Sequence, residues 1–158
     1  MDSYTAFYNK FRERLFSYLM RYTGDCEISR DIMQESFTRY LEHYKNREYS
    51  VSLLYKIARN AMMDLLRKQK KEVSGTDKEQ EDRSNSAEES LLINEEYRHV
   101  LDALQKLEHQ ERETISLALD GDLSYREVAA IVGISEANVK IRVHRARKKL
   151  RELLSKGD

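Results

Sequence analysis

At 158 residues, with 35% charged side chains, no proline, no tryptophan and five glycines, the sequence predicts an all-helical protein of one or two small domains. A lone cysteine, Cys26, excludes an internal disulfide, and no run resembles a membrane span or a signal peptide, so a soluble cytoplasmic protein is expected. The formal net charge is zero, yet residues 1–71 carry +5, residues 72–113 carry −8 and residues 114–158 carry +3, as two basic binding units around an acidic spacer would.

The first predicted helix covers residues 4–22, with Phe7, Phe11, Leu15, Tyr18 and Tyr22 near helical spacing as its core stripe. Gly24-Asp25 breaks it, and a second helix is predicted over residues 27–45. Met33, Phe37, Tyr40, Leu41 and Tyr44 form its buried stripe, while Asp31, Gln34, Glu35, Thr38 and Glu42 line a separate, mostly acidic sector. Periodicity leaves two accounts of that sector open: a solvated face, or a docking surface for a protein partner.

A polar loop framed by Tyr44 and Tyr49, with Arg47 inside it, precedes a third helix predicted over residues 50–70. Leu54, Ile57, Ala58, Ala61 and Leu65 face inward, and Lys56, Arg59, Asn60, Met63, Arg67 and Lys70 take the opposite side. A basic groove beside exposed aromatic rings can bind single-stranded nucleic acid, the cations tracking phosphates and the rings stacking on bases. A solvated basic helix would look the same in sequence.

Residues 72–87 have almost no apolar side chain and read as a flexible acidic linker, spanning at most ~55 Å when extended. They divide the chain into units at 1–71 and 88–158. In the second unit the helical pattern returns through Leu91, Leu92, Tyr97, Val100, Leu101, Leu104 and Leu107. A further helix over residues 111–119 leads to a break at Asp120-Gly121-Asp122.

The stretch from Ser124 onward is the most explicit. Ser124 is placed to cap a short helix, with Glu127 three residues on to complete a capping box and Leu123 and Val128 as a hydrophobic staple. Gly133 can take the left-handed conformation that ends this helix, and Ser135 can cap the next. The result is a helix-turn-helix. In the second helix Val139, Val143, Ala146, Leu150 and Leu153 form one apolar stripe, and Ala137, Ile141, His144, Arg145, Lys148 and Glu152 face away. Residues 140–151 contain seven bases and no acid, which suits a helix that reads the major groove and anchors on phosphates behind it. Asn138 can bond adenine, Arg145 can reach guanine or phosphate, and Ile141 can meet a thymine methyl.

With both halves read, the chain resembles the extracytoplasmic-function (group 4) sigma factors, small two-domain promoter-recognition subunits of bacterial RNA polymerase. Leu123-Ser124-Tyr125-Arg126-Glu127-Val128-Ala129, followed by Val139-Lys140-Ile141-Arg142-Val143-His144-Arg145-Ala146, is similar to sigma region 4. Asp31-Ile32-Met33-Gln34-Glu35-Ser36-Phe37, then Ile57-Ala58-Arg59-Asn60 with Asp64 and Arg67, is similar to region 2. The resemblance implies two helical domains. It implies that Asp31, Gln34, Glu35, Thr38 and Glu42 dock on the clamp helices of the polymerase β′ subunit, while region 4 also meets the β flap.

Tyr44, Arg47, Tyr49, Lys56, Arg59, Asn60 and Arg67 would capture a base flipped from the melted minus-10 strand. Tyr125, Arg126, Ser135, Glu136, Ala137, Asn138, Lys140, Ile141, Arg142, His144, Arg145 and Lys148 would approach the minus-35 duplex. An anti-sigma factor, often membrane-anchored, is implied as a further partner. Three positions depart from the family pattern: Leu53-Leu54 replaces Trp-Leu, Leu107-Glu108 replaces Leu-Pro, and Ala137-Asn138 replaces Gly-Thr.

An enzyme is disfavoured, because the sequence has no phosphate loop, no nucleophile motif and no metal-ligand spacing among His43, His99, His109 and His144, and no cofactor or metal is expected. A stand-alone duplex-DNA regulator and a helical protein-binding adaptor remain as the other readings.

Overall fold

The computed structural model describes residues 3–44, 48–73 and 94–156. Among these residues seven helices follow one another: α1 (Ser3–Thr23), α2 (Cys26–Tyr44), α3 (Val51–Val73), α4 (Glu95–Gln105), α5 (His109–Ala118), α6 (Tyr125–Val132) and α7 (Glu136–Ser155). Arg47, Leu91, Leu92 and all of the expected linker beyond Val73 lie outside the described residues.

Local chemistry sets most of the helix starts. Asp25 accepts from the Ile28 N–H (2.9 Å) ahead of α2, and Ser50 accepts from the Leu53 N–H (3.2 Å) ahead of α3. Asn94 caps α4 through the Tyr97 N–H at 2.7 Å. Each bond satisfies an amide that the first helical turn leaves without a partner. The expected capping box at Ser124 and Glu127 is present with both of its bonds, and Ser135 caps α7. Gly133, at φ 82°, ends α6 in the left-handed region that a side chain would strain.

The first three helices form one bundle in which α2 packs on both α1 and α3; the last four form another around α7. The bundles also pack on each other, α1 against α4 and α5, and α3 against α6. This second set of contacts explains where burial departs from the sequence reading. The expected stripe of α1 is buried, but so are Leu19 and Met20; α3 buries Tyr55 and Met62 as well as Leu54, Ala58 and Ala61. Each helix buries a broader face than its expected stripe, and Tyr55 reaches Asp120 of the other bundle. Leu41, expected inside, is 37% exposed, and Tyr44, Ile57, Leu65 and Leu153 are only half-buried.

Gly24 sits where the bundles touch. Its φ is +66°, and a Cβ there would come within 3.2 Å of the Gln105 side chain. Gln105 donates from Nε2 to the carbonyls of Tyr22 (3.0 Å) and Arg21 (3.4 Å), satisfying the end of α1 from the other half of the chain.

Candidate nucleic-acid interface

The outer face of α7 is open. Val139, Val143, Ala146 and Leu150 are buried against α4, α5 and α6. Their burial fixes the rotation of the helix, so Ser135, Glu136, Ala137, Asn138, Lys140, His144, Arg145 and Lys148 are exposed together. Ile141 is 47% exposed among them, an apolar side chain in a charged field. Arg126 is exposed at the start of α6, while Tyr125 and Arg142 are half-buried at the margin. Lys149 is turned away, donating to Glu111 at 2.8 Å; that bond raises its pKa and ties α7 to α5. A rigid, capped helix with a basic outer face can enter a major groove without rearrangement.

On α2, Asp31, Gln34, Glu35, Thr38 and Glu42 are all exposed, so periodicity placed this sector outward and the fold leaves it there. Thr38 turns its hydroxyl back to the Gln34 carbonyl (2.9 Å), and Glu35 pairs with Arg39 (2.9 Å). Beside this sector an open groove of about 540 Å³ runs between α1 and α2, lined by Tyr8, Phe16, Met33, Arg12, Arg30 and Gln34 among others.

The α3 surface is different. Lys56, Asn60 and Arg67 are exposed, but Arg59 is half-buried in an ion pair with Glu113 on α5. An open cleft of about 620 Å³ lies here, lined by Arg59, Asn60, Met63, Asp64, Arg67 and, from the other bundle, His109. The tyrosines of the preceding loop are not free rings, contrary to the exposed aromatics expected. Tyr49 stacks on Phe7 (centroids 4.8 Å) and lies 6.1 Å from Tyr40, whose ring is 5.7 Å from Tyr44. The Tyr40 hydroxyl accepts from the Ser50 N–H at 2.8 Å, fixing the loop's exit into α3.

Sequence reasoning missed the polar seam between the bundles. Asp120, in what reads as a simple helix break, is only 9% exposed. It accepts from the Tyr55 hydroxyl (2.7 Å), from Arg14 (3.1 Å) and from the Asp122 N–H (3.1 Å). Burial works to raise the Asp120 pKa; the bonds from Tyr55, Arg14 and the Asp122 N–H outweigh it and hold the carboxyl below its usual range. Burial raises the Tyr55 pKa, and the bond to Asp120 adds to it. Glu113, 2% exposed, takes Arg59 and lies 3.8 Å from His109, which in turn bonds the Tyr22 hydroxyl. Ser52 donates to Glu127 (3.2 Å), and Arg21 donates to the Ser116 carbonyl (2.8 Å), its pKa lowered by burial. The Tyr18 hydroxyl, Arg21 Nη2, Arg112 Nε and Ser116 Oγ are buried with no hydrogen-bond partner among the described residues.

Known proteins share both halves. Sigma-70 region 2 matches residues 7–72 and sigma-70 region 4 matches residues 97–150. The ECF RNA polymerase sigma factor SigM of Bacillus subtilis is 32% identical over 153 residues, covering 95% of this chain and 94% of that protein. The RNA polymerase sigma factor CarQ of Myxococcus xanthus is 30% identical over 156 residues, covering 97% of this chain and 90% of that protein. In fold, the chain is similar to the sigma factor RpoE solved in complex with the anti-sigma factor NepR from Bartonella quintana. That likeness has a TM-score of 0.79 at 22% identity and covers 98% of both chains. CnrH, solved with the cytosolic domain of CnrY, is similar at a TM-score of 0.73 and 23% identity, over 98% of this chain and 89% of that one.

Proposed function

The chain belongs to the extracytoplasmic-function sigma factors of bacterial RNA polymerase, and from that membership we propose how its surfaces share the work of initiation. As a member it binds the polymerase core and directs promoter-specific transcription initiation. Residues 1–71 act as the region 2 unit, residues 88–158 as the region 4 unit, and residues 72–87 as the connection between them. The exposed sector Asp31, Gln34, Glu35, Thr38 and Glu42 docks on the β′ clamp helices, and region 4 rests on the β flap.

The α7 face reads the minus-35 duplex: Asn138, Ile141 and Arg145 address base edges, and Lys140, Arg142 and Lys148 address phosphates. The α3 face, with Lys56, Arg59, Asn60 and Arg67, receives the melted minus-10 strand, beside Tyr44, Arg47 and Tyr49. The protein works by binding and strand capture, with no covalent chemistry of its own. It does so in the cytoplasm, where an anti-sigma factor holds it inactive; among the described residues no helix is long and apolar enough to cross a membrane.

The observation that carries the assignment is the open basic face of α7, rotated outward by its buried stripe and preceded by a fully capped turn. The test is run-off transcription with bacterial core polymerase, with and without this protein, over a fragmented genomic library from its source. Protein-dependent starts at discrete sites are expected, and alignment upstream of them yields both promoter elements. Duplex binding by the free protein without any such starts would instead mark a stand-alone regulator. Arg145→Ala is expected to lower promoter-directed transcription while leaving core binding intact; Asp31→Ala or Glu35→Ala is expected to weaken core binding. Equal loss of both activities in Arg145→Ala would remove Arg145 from the DNA-reading set.

A further inference from the structure

The outer face of α7 carries one side chain that attraction to DNA does not call for. From Ser135 to Arg151 the sequence holds seven bases and a single acid, Glu136. Glu136 is the first residue of α7, directly after the Ser135 cap, and it is exposed together with Ala137, Asn138, Lys140 and Ile141. Lys140 stands one turn further along the same helix, yet the Glu136 carboxylate has no ion pair or hydrogen bond among the described residues. It reaches the duplex uncompensated.

A carboxylate at the tip of a helix docked in the major groove has phosphates on either side and is repelled by both. What the groove offers it are the amino groups of cytosine and adenine, the donors among the base edges. In an A·T pair the amino group lies between two acceptors, adenine N7 and thymine O4. In a C·G pair it has an acceptor, guanine O6, on one side only, so the repulsion is smaller. We propose that Glu136 reads a cytosine of the minus-35 element through its N4 amino group and so sets the base at one position. The inference rests on the assignment of α7 to the minus-35 duplex.

The first turn of α7 is held firmly enough for this task. Ser135 accepts from the Asn138 N–H at 3.1 Å, and Val139 and Val143 are buried. The helix therefore cannot rotate the acid away from the face that carries Ile141 and Arg145. Ala137, beside it, adds little bulk and lets the first turn approach the base edges. Arg145 follows Glu136 by nine residues, roughly 13.5 Å of helix at ~1.5 Å per residue, or about four base-pair steps at ~3.4 Å. The two side chains thus address opposite ends of a short element. An acid in a first turn also favours the positive end of the helix dipole. That contribution acts on folding and is blind to base sequence, so the two roles part experimentally.

The test is transcription by core polymerase with the full-length chain, on templates whose minus-35 element, once mapped by run-off, is randomised and paired with a transcribed barcode. Wild-type protein is expected to favour cytosine at one position, roughly tenfold over the other bases. Glu136→Gln is expected to exchange that preference for adenine at the same position, because a glutamine amide can pair with adenine N6 and N7 together. Glu136→Ala is expected to show no preference there. Both variants should keep the wild-type preferences elsewhere in the element. Both should also bind duplexes of any sequence more tightly than wild type, since a repulsion from phosphates is gone.

Variants that keep the cytosine, or that lose preference evenly across the element, overturn the proposal. So does a wild type for which no position of the element favours a C·G pair. Asn138→Ala and Arg145→Ala separate this failure from that of the underlying reading. If either changes the preference at a minus-35 position while Glu136→Gln changes none, only the role of Glu136 is lost. If none of the three does, the assignment of α7 to that duplex is itself at fault.

Discussion

The two bundles fill their interiors with different side chains. The α1–α3 bundle is aromatic: Phe7, Phe11, Phe37, Tyr18, Tyr40 and Tyr55 are buried, and Phe7 alone has ring partners at 5.1 Å (Phe11), 5.2 Å (Tyr40) and 4.8 Å (Tyr49). The buried apolar residues of α4–α7 are leucine, isoleucine, valine and alanine, with no ring among them. Rings bury more area per residue, and a tyrosine carries a hydroxyl that can tie down something outside its own helix. Tyr40 ties the loop before α3, and Tyr55 reaches Asp120 in the other bundle. The aliphatic bundle has thinner side chains and depends more on its caps. Region 2 should therefore be stabilised mainly by interior contacts, and region 4 relatively more by its helix ends.

Single substitutions can break that comparison. Phe37→Ala, at a nearly inaccessible site that meets Phe7 and Tyr8, should cost about 3–5 kcal/mol in urea denaturation. Val143→Ala, equally buried in α7, removes two methyl groups and should cost about 1.5 kcal/mol. Similar losses at the two sites would mean that the aromatic interior has no special weight. Tyr40→Phe should cost about 1–2 kcal/mol, since the Ser50 N–H loses its acceptor while the ring stays. Amide exchange should then quicken at Ser50 ahead of the α3 interior. Ser124→Ala should cost about 1 kcal/mol, with faster exchange confined to the first turn of α6, because the Glu127 N–H loses its Oγ acceptor while the bond from the backbone N–H of residue 124 to the Glu127 carboxylate remains.

What the sequence discloses follows the same division. Ser124, Glu127, Gly133 and Ser135 were readable because caps and left-handed turns are local: the residue type and the geometry are a few positions apart. The stripes of α1 and α7 were readable because each packs along one face inside its own bundle. Tyr55 on α3 was not, since a period of 3.6 identifies one buried face and this residue lies beside it, reaching Asp120 in a bundle distant in sequence. Glu111, Glu113 and Asp120 were the least legible. An acid on a helix or at a break ordinarily faces water, and only the arrival of Lys149, Arg59 and Arg14 from elsewhere makes burial of these three possible. The α2 sector and the outer face of α7 were legible as exposed because each lies opposite a buried apolar stripe on its own helix.

The gentlest perturbation compares the seam with both interiors. Asp120 faces Arg14 and Arg21 of α1, Tyr55 of α3, and Asp122 in its own turn, with Glu127 of α6 also held below the usual carboxylate range, chiefly by the Ser124 N–H. A carboxyl whose folded pKa is depressed adds stability that is present above its ordinary value, near 4, and is lost as pH falls through the depressed one. Tyr55, pushed upward, stays protonated throughout, and Arg14 stays charged: burial would lower its pKa, but the bonds to Asp120 outweigh that. Acidification below about pH 4 should therefore loosen the Arg14–Asp120–Tyr55 cluster. Neither interior relies on it, so the scattering radius should grow before helical ellipticity falls. Asp120→Asn should already be expanded at neutral pH and show no such acid step. Simultaneous loss of compactness and helicity in the wild type would mean that the seam and the two interiors form one cooperative unit, and that the domains do not separate without unfolding.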